Sequence, residues 1–147
     1  MKRFVKRSLA GCLLAVVILL ATAAGARAPL AFSFGRTGGS IMPFDVKIFA
    51  DGRVGVTGAV RRIERVTVTP QALAALRKLA NAERFFSMPA STNCLGTVGG
   101  LATNYIRGHV GKRNRTVSVR GGCNKRFLEL FEVLKAVAAV STTPKNP

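Results

Sequence analysis

The chain has 147 residues, enough for one hydrophobic core and too few for two. Its 48% hydrophobic content suits a globular protein but is weighted toward the first two dozen residues. Lys and Arg number 23 against 6 Asp and Glu, a formal charge of +17, an imbalance that says little about fold and makes polyanions the first partners to consider.

Lys2, Arg3, Lys6 and Arg7 precede a mostly apolar run from Leu9 to Ala23, and Ala24-Gly25-Ala26 follows as a small-x-small cleavage site. This order is that of a secretory signal peptide over residues 1–26. Cleavage after Ala28 would place Pro29 beside the cut, where it is poorly tolerated. An uncleaved anchor would need about 20 apolar residues, more than this run supplies. Leu9-Ala10-Gly11-Cys12 resembles a lipoprotein box but opens the apolar stretch instead of closing it, and a twin-arginine pair is missing. Loss of residues 1–26 removes the four basic residues named and no acidic one, which leaves 19 basic against 6 acidic and a charge of +13. It also removes Cys12 and leaves an even pair of cysteines.

From Leu30 to Arg36, Leu30, Phe32 and Phe34 alternate with small or polar residues, as in a half-buried strand, and Gly38-Gly39 ends it. Phe44, Val46 and Ile48 alternate next, and Asp51-Gly52 separates them from Val54 and Val56. This is a hairpin signal, because a two-residue turn favours positive φ at its centre. A further extended segment is expected over Ile63 to Thr69. Thr69-Pro70 predicts a helix start, with Thr as cap and Pro in the first turn. Leu73, Leu76, Leu79 and Ala80 form its inner face, Phe85 and Phe86 close it, and Pro89 stops it. Thr103 to Arg107 and Thr116 to Arg120 predict two strands. A second helix runs from Asn124 to about Val140, with Phe127, Leu130, Phe131, Leu134, Val137 and Ala138 as its stripe. The order predicts an α+β fold over residues 27–140: an antiparallel sheet of about five to six strands, packed on one face by two helices, with a flexible tail over 141–147.

In an exported domain Cys94 and Cys123 predict a disulfide. Closing a loop of about thirty residues is worth roughly 3–4 kcal/mol in the chain-entropy model. A reactive or metal-binding thiol pair would need a CxxC spacing or further ligands, and neither is present. Nor does a catalytic constellation emerge. His109, the only histidine, sits in a Gly- and Arg-rich turn with no nucleophile or orienting carboxylate nearby in sequence. Asp51 is explained by its turn, and a carboxylate pair with Asp45 is unsupported. The glycines at 38–39 and 96–100 do not follow a phosphate-loop or dinucleotide spacing. The expectation is a protein without enzymatic activity, metal or cofactor; a small hydrolase is the disfavoured alternative.

The basic residues carry the remaining signal. Arg107, Lys112, Arg113, Arg115, Arg120, Lys125 and Arg126 surround the last two strands and the second helix start, and Arg61, Arg62 and Arg65 form another group. A one-sided patch of this kind would suit an anionic envelope polymer. Base stacking on nucleic acid is disfavoured, since there is one tyrosine, no tryptophan, and the phenylalanines serve the core.

Arg36-Thr37-Gly38-Gly39, the Asp51-Gly52 hairpin, and Leu73-x-x-Leu76-x-x-Leu79 leading to Phe85-Phe86-x-Met88-Pro89 resemble small secreted bacterial domains without an assigned activity. They are also distantly similar to emfourin-type inhibitors of thermolysin-like metalloproteases. Those inhibitors do not rely on a disulfide. Cys94-Leu95-Gly96 and Gly121-Gly122-Cys123-Asn124-Lys125-Arg126-Phe127 look like a secreted, cysteine-bearing subgroup. The resemblance implies the fold and an alternative function, inhibition of an extracellular protease through the turn near Gly38 or the segment after Pro89. It transfers no functional residues. The reading from sequence is a secreted or periplasmic binding domain, stapled by a disulfide and basic at its surface.

Overall fold

The computed structural model describes residues 27–62, 67–96 and 99–141. The signal segment expected over 1–26, positions 63–66 of the extended segment, and the tail beyond 141 lie outside the described residues.

The elements in order are β1 (Leu30–Thr37), β2 (Phe44–Phe49), β3 (Val54–Gly58), β4 (Arg61–Arg62), α1 (Pro70–Ala82), a 3-10 turn (Phe85–Ser87), β5 (Ser91–Asn93), β6 (Thr103–Val110), β7 (Arg113–Arg120), α2 (Lys125–Val137) and β8 (Val140–Ser141). Six strands form one sheet in the order β3-β2-β1-β6-β7-β5, and β4 pairs with β8 separately. The fold is α+β, as the sequence predicts. The sheet is antiparallel except for β5, which joins β7 in parallel. A parallel neighbour follows from the route of the chain. Pro89 ends the 3-10 turn, and the chain then runs three residues along β7 in the direction of β7 itself.

Local chemistry explains where each element begins. The Thr69 hydroxyl accepts the Ala72 amide at 3.2 Å and Pro70 opens α1, so the first turn is capped and its missing donor costs nothing. Asn124 Oδ1 accepts the Phe127 amide at 3.1 Å and starts α2 in the same manner. Between β2 and β3, Gly52 takes φ +84°, and any side chain there would run into the Val68 carbonyl.

The core lies between the sheet and both helices. Phe32, Phe34, Val46, Ile48, Ile106, Val117 and Val119 point from the strands toward Leu73, Leu76 and Ala80 of α1 and Phe127, Leu130, Phe131 and Leu134 of α2. Phe34 meets Phe131 edge-on with ring centroids 5.6 Å apart. On β6, Gly108 makes room for Phe85: a Cβ there would stand 2.8 Å from that ring. The opposite face of the sheet is polar, and register places Asp45, Lys47, Ser33, Gly35, Tyr105 and Arg107 on it across the three central strands.

The strand directions define two ends. At one end lie the β1–β2 loop, the approach to β6, the end of β5 and the β7–α2 junction; at the other lie the β2–β3 and β6–β7 turns. No described helix is long and apolar enough to cross a membrane.

Candidate functional site

The cysteine pair organises the first of these ends. Cys94 and Cys123 are joined, with Cα atoms 5.7 Å apart, so the end of β5 is tied to the end of β7. The Cys94 amide donates to the Arg120 carbonyl at 2.9 Å, and the Cys123 amide points at Cys94 Sγ at 3.0 Å. This is the disulfide expected from the sequence. It fixes the short segment that leads into α2.

At that helix start the surface is cationic. Lys125 and Arg126 occupy the first turn, which holds no acidic side chain, and the helix adds its own partial positive charge. An open depression of about 500 Å³ is bordered by Thr92, Cys123, Asn124, Lys125 and Arg126. A second, of about 300 Å³, shares Asn124 and Arg126 and is completed by Arg84, Ser87, Met88 and Pro89. No carboxylate borders either one. Arg84 holds φ +54°, a left-handed conformation uncommon for a side-chain-bearing residue. Arg120, the last residue of β7, stands at the same end of the sheet, and its Nε is buried with no hydrogen-bond partner among the described residues.

The seven basic residues named from the sequence do not share one face. Alternation along β7 sends Arg113 and Arg115 toward the helices, and Arg120 toward the polar face, where Arg107 of β6 also lies. Lys112 stands in the turn at the far end, and Arg113 through Arg120 spans about 23 Å of strand. Arg113 and Arg115 serve the fold. Arg113 lies 4.4 Å above the Phe86 ring and donates to Asn81 Oδ1 at 2.8 Å. Arg115 donates to the Met88 carbonyl. Arg107 donates to Thr116 across the strand pair at 3.4 Å. Arg120 ends β7 at the disulfide end but on the polar face; Lys125 and Arg126 alone of the seven border the depressions there, with Arg84, a residue that sequence spacing does not reveal.

His109 is a strand residue of β6, opposite Asn114, and not part of the turn. It borders a depression with Pro29, Ala50 and Arg77, in which there is no carboxylate or nucleophile. No group of three or more His, Cys, Asp or Glu side chains that could hold a metal occurs among the described residues.

Asp45 has a different partner from any sequence spacing suggests. The Tyr105 hydroxyl donates to Asp45 Oδ1 at 2.7 Å, and Lys47 Nζ lies 3.5 Å from the other oxygen. Burial and the adjoining carboxylate push the Tyr105 phenol well above the ordinary range. Asp51 is lowered instead, mainly by the hydrogen bond from Arg53, whose Nε stands 2.6 Å away.

Sequence reasoning also overlooked the apolar tips. Ile41, Met42, Leu95 and Leu101 are the large hydrophobic side chains left exposed among the described residues, and all belong to loops at the disulfide end. A signal was available: Ile41-Met42 is an apolar pair enclosed by Gly38-Gly39-Ser40 and Pro43, where no strand can bury it.

No protein-family model matches the chain, and comparison with curated proteins finds no match.

Proposed function

We propose that this is an exported, non-enzymatic binding domain that engages an anionic component of the cell envelope through its disulfide end. The observation that carries the reading is the grouping of Arg84, Lys125 and Arg126 around the α2 N-terminus, beside depressions with no carboxylate on their borders. Like charges held together repel one another and bring no stability of their own. Asp45 is engaged by Tyr105 and Lys47, and Glu83 beside Arg84 and Glu129 one turn into α2 form no ion pair with the cluster among the described residues. Export is supported by the signal-like leader and by a disulfide, a bond that persists in oxidising compartments.

The test is retention on immobilised heparin, a soluble stand-in for an anionic polymer, across a series of salt concentrations. Charge-driven binding weakens steeply as salt rises. Lys125→Glu should elute at markedly lower salt, and Lys112→Glu, the same charge reversal at the far end, should shift elution less. Equal shifts from the two would show that net charge alone is being read and would remove the site from this end.

A further inference from the structure

The same end carries a second property that charge does not explain. Met42 is 71% exposed, Ile41 47%, Leu101 37%, and Leu95 is fully exposed, whereas the other large apolar side chains among the described residues are packed at least in part. These tips come from two loops. Ile41 and Met42 project between β1 and β2, Leu101 leads into β6, and Leu95 follows β5. The strands concerned stand side by side as β1-β6-β7-β5, so the tips extend over about 14 Å along one end of the sheet.

They are held in place. The Ser40 amide donates to the Gly100 carbonyl at 2.8 Å, which ties the Ile41–Met42 loop to the Leu101 approach. Gly39 has φ +72°, and any Cβ there would strike the Gly100 carbonyl, so the two loops meet backbone to backbone. The disulfide anchors Leu95 from its neighbour Cys94. Arg36 donates to the Met42 carbonyl at 3.2 Å, which places a cation directly behind the most prominent pair. Arg120 ends β7, and Lys125 and Arg126 open α2, at this same end of the sheet.

Resting on the anion-binding reading above, we infer that this end docks onto the surface of an anionic lipid bilayer, with Ile41, Met42, Leu95 and Leu101 entering the headgroup–acyl boundary while Arg36, Arg120, Lys125 and Arg126 meet lipid phosphates. The spread of the tips decides the class of partner. A single protruding loop fits a cleft; side chains distributed over the ends of β1, β6 and β5, on either side of β7, fit a plane. Apolar insertion and attraction to anionic headgroups are the two terms that bring a protein to an interface. A soluble polyanion would use the cations and leave the apolar tips in water.

The experiment is flotation of the mature, oxidised protein with phosphatidylcholine vesicles, with and without phosphatidylglycerol, run beside heparin retention. Ile41→Ser with Met42→Ser, and Leu95→Ser, alter exposed side chains and preserve the fold, which circular dichroism verifies. Each set should lower partition onto phosphatidylglycerol vesicles about tenfold or more and leave heparin retention unchanged. Because the chain has no tryptophan, Met42→Trp supplies a single reporter whose emission should shift to the blue on those vesicles alone. Vesicle binding that the serine variants leave intact, or an unshifted tryptophan, would overturn the membrane inference while heparin retention kept the anion reading. Stoichiometric inhibition of a thermolysin-like metalloprotease, lost in the same variants, would assign the tips to a protein cleft and also overturn it. Absence of binding to both vesicles and heparin would end the two readings together.

Discussion

Tyr105 of β6 reaches across β1 to donate its hydroxyl to Asp45 of β2 at 2.7 Å, passing over Gly35. The crossing is possible because Gly35 has no side chain: a Cβ there would lie 2.8 Å from the Tyr105 oxygen and closer still to the Phe44 carbonyl. One hydrogen bond thus links the two strands that flank the centre of the sheet, on the face away from the helices.

The consequence for pH is specific. A phenol whose pKa is raised by folding stays protonated in the native state while the unfolded chain ionises near its ordinary value of about 10. The stability it contributes is complete below about pH 10 and is lost as pH climbs from there toward the higher folded pKa. Tyr105 is the only tyrosine and there is no tryptophan, so phenolate absorbance reports this one group. The native protein should titrate well above the same protein in denaturant, and Asp45→Asn should bring the native curve down. Coincident curves for folded and unfolded protein would remove the Tyr105–Asp45 bond from the account.

Gly108 tests the helix face. A methyl group there would meet Phe85 at 2.8 Å and Phe32 at 3.3 Å, and both rings are fully buried. Gly108→Ala should therefore destabilise the domain by about 1–3 kcal/mol, the usual range for overpacking a filled core. Gly122→Ala is the control, since nothing lies within 4 Å of its Cβ position and its φ is not in the left-handed region. It should stay within about 0.5 kcal/mol of the parent in urea unfolding. Equal effects at the two positions would mean that Phe85 does not rest on Gly108.

Removing the disulfide should act on one edge of the sheet before the rest. Cys94→Ser with Cys123→Ser should cost about 3–4 kcal/mol by the chain-entropy argument. β5 is three residues long and, within the sheet, pairs only with β7, so little besides the bridge holds it. Hydrogen exchange should accelerate most at Ser118, whose amide donates to the Ala90 carbonyl at 2.9 Å, while Phe34 and Ile106 in the centre follow global unfolding. Uniform acceleration would show that the bridge stabilises the whole domain without fixing β5.

What the sequence disclosed followed from local rules. Thr69-Pro70, Asp51-Gly52 and the Phe127–Leu134 stripe each contain their own explanation within a few residues, and a hairpin and two helices form there. The loop between the paired Ile48 and Val54 is longer than the two-residue turn expected, and α2 ends at Val137, short of Val140, which enters β8. β5 was not legible, because Ser91-Thr92-Asn93 has no apolar alternation and is a strand only by virtue of β7 and the disulfide beside it. The cationic site was legible in composition and not in place. Arg107 through Arg126 read as one cluster along the chain, yet the period of two in β7 turns Arg113 and Arg115 to one face and Arg120 to the other. Tyr105 and Asp45, sixty residues apart, meet only through a sheet order in which β1 lies between β2 and β6.

That division of the arginines yields the last prediction. Arg115 donates to the Met88 carbonyl and extends its stem over the helix face, so Arg115→Ala should cost about 1–3 kcal/mol through the lost charged hydrogen bond and packing. Arg113→Ala, which loses the Phe86 ring and Asn81, should cost about 1 kcal/mol. Arg126 is exposed in the first turn of α2, with no ion pair or hydrogen bond to its side chain among the described residues. Arg126→Ala should leave the urea midpoint within experimental scatter and lower the salt at which the protein leaves heparin. The opposite pattern, in which Arg115→Ala weakens heparin retention at unchanged stability, would move the anion-binding surface onto β7 and away from the disulfide end. The two arginine classes carry the same charge, and only their surroundings make them differ.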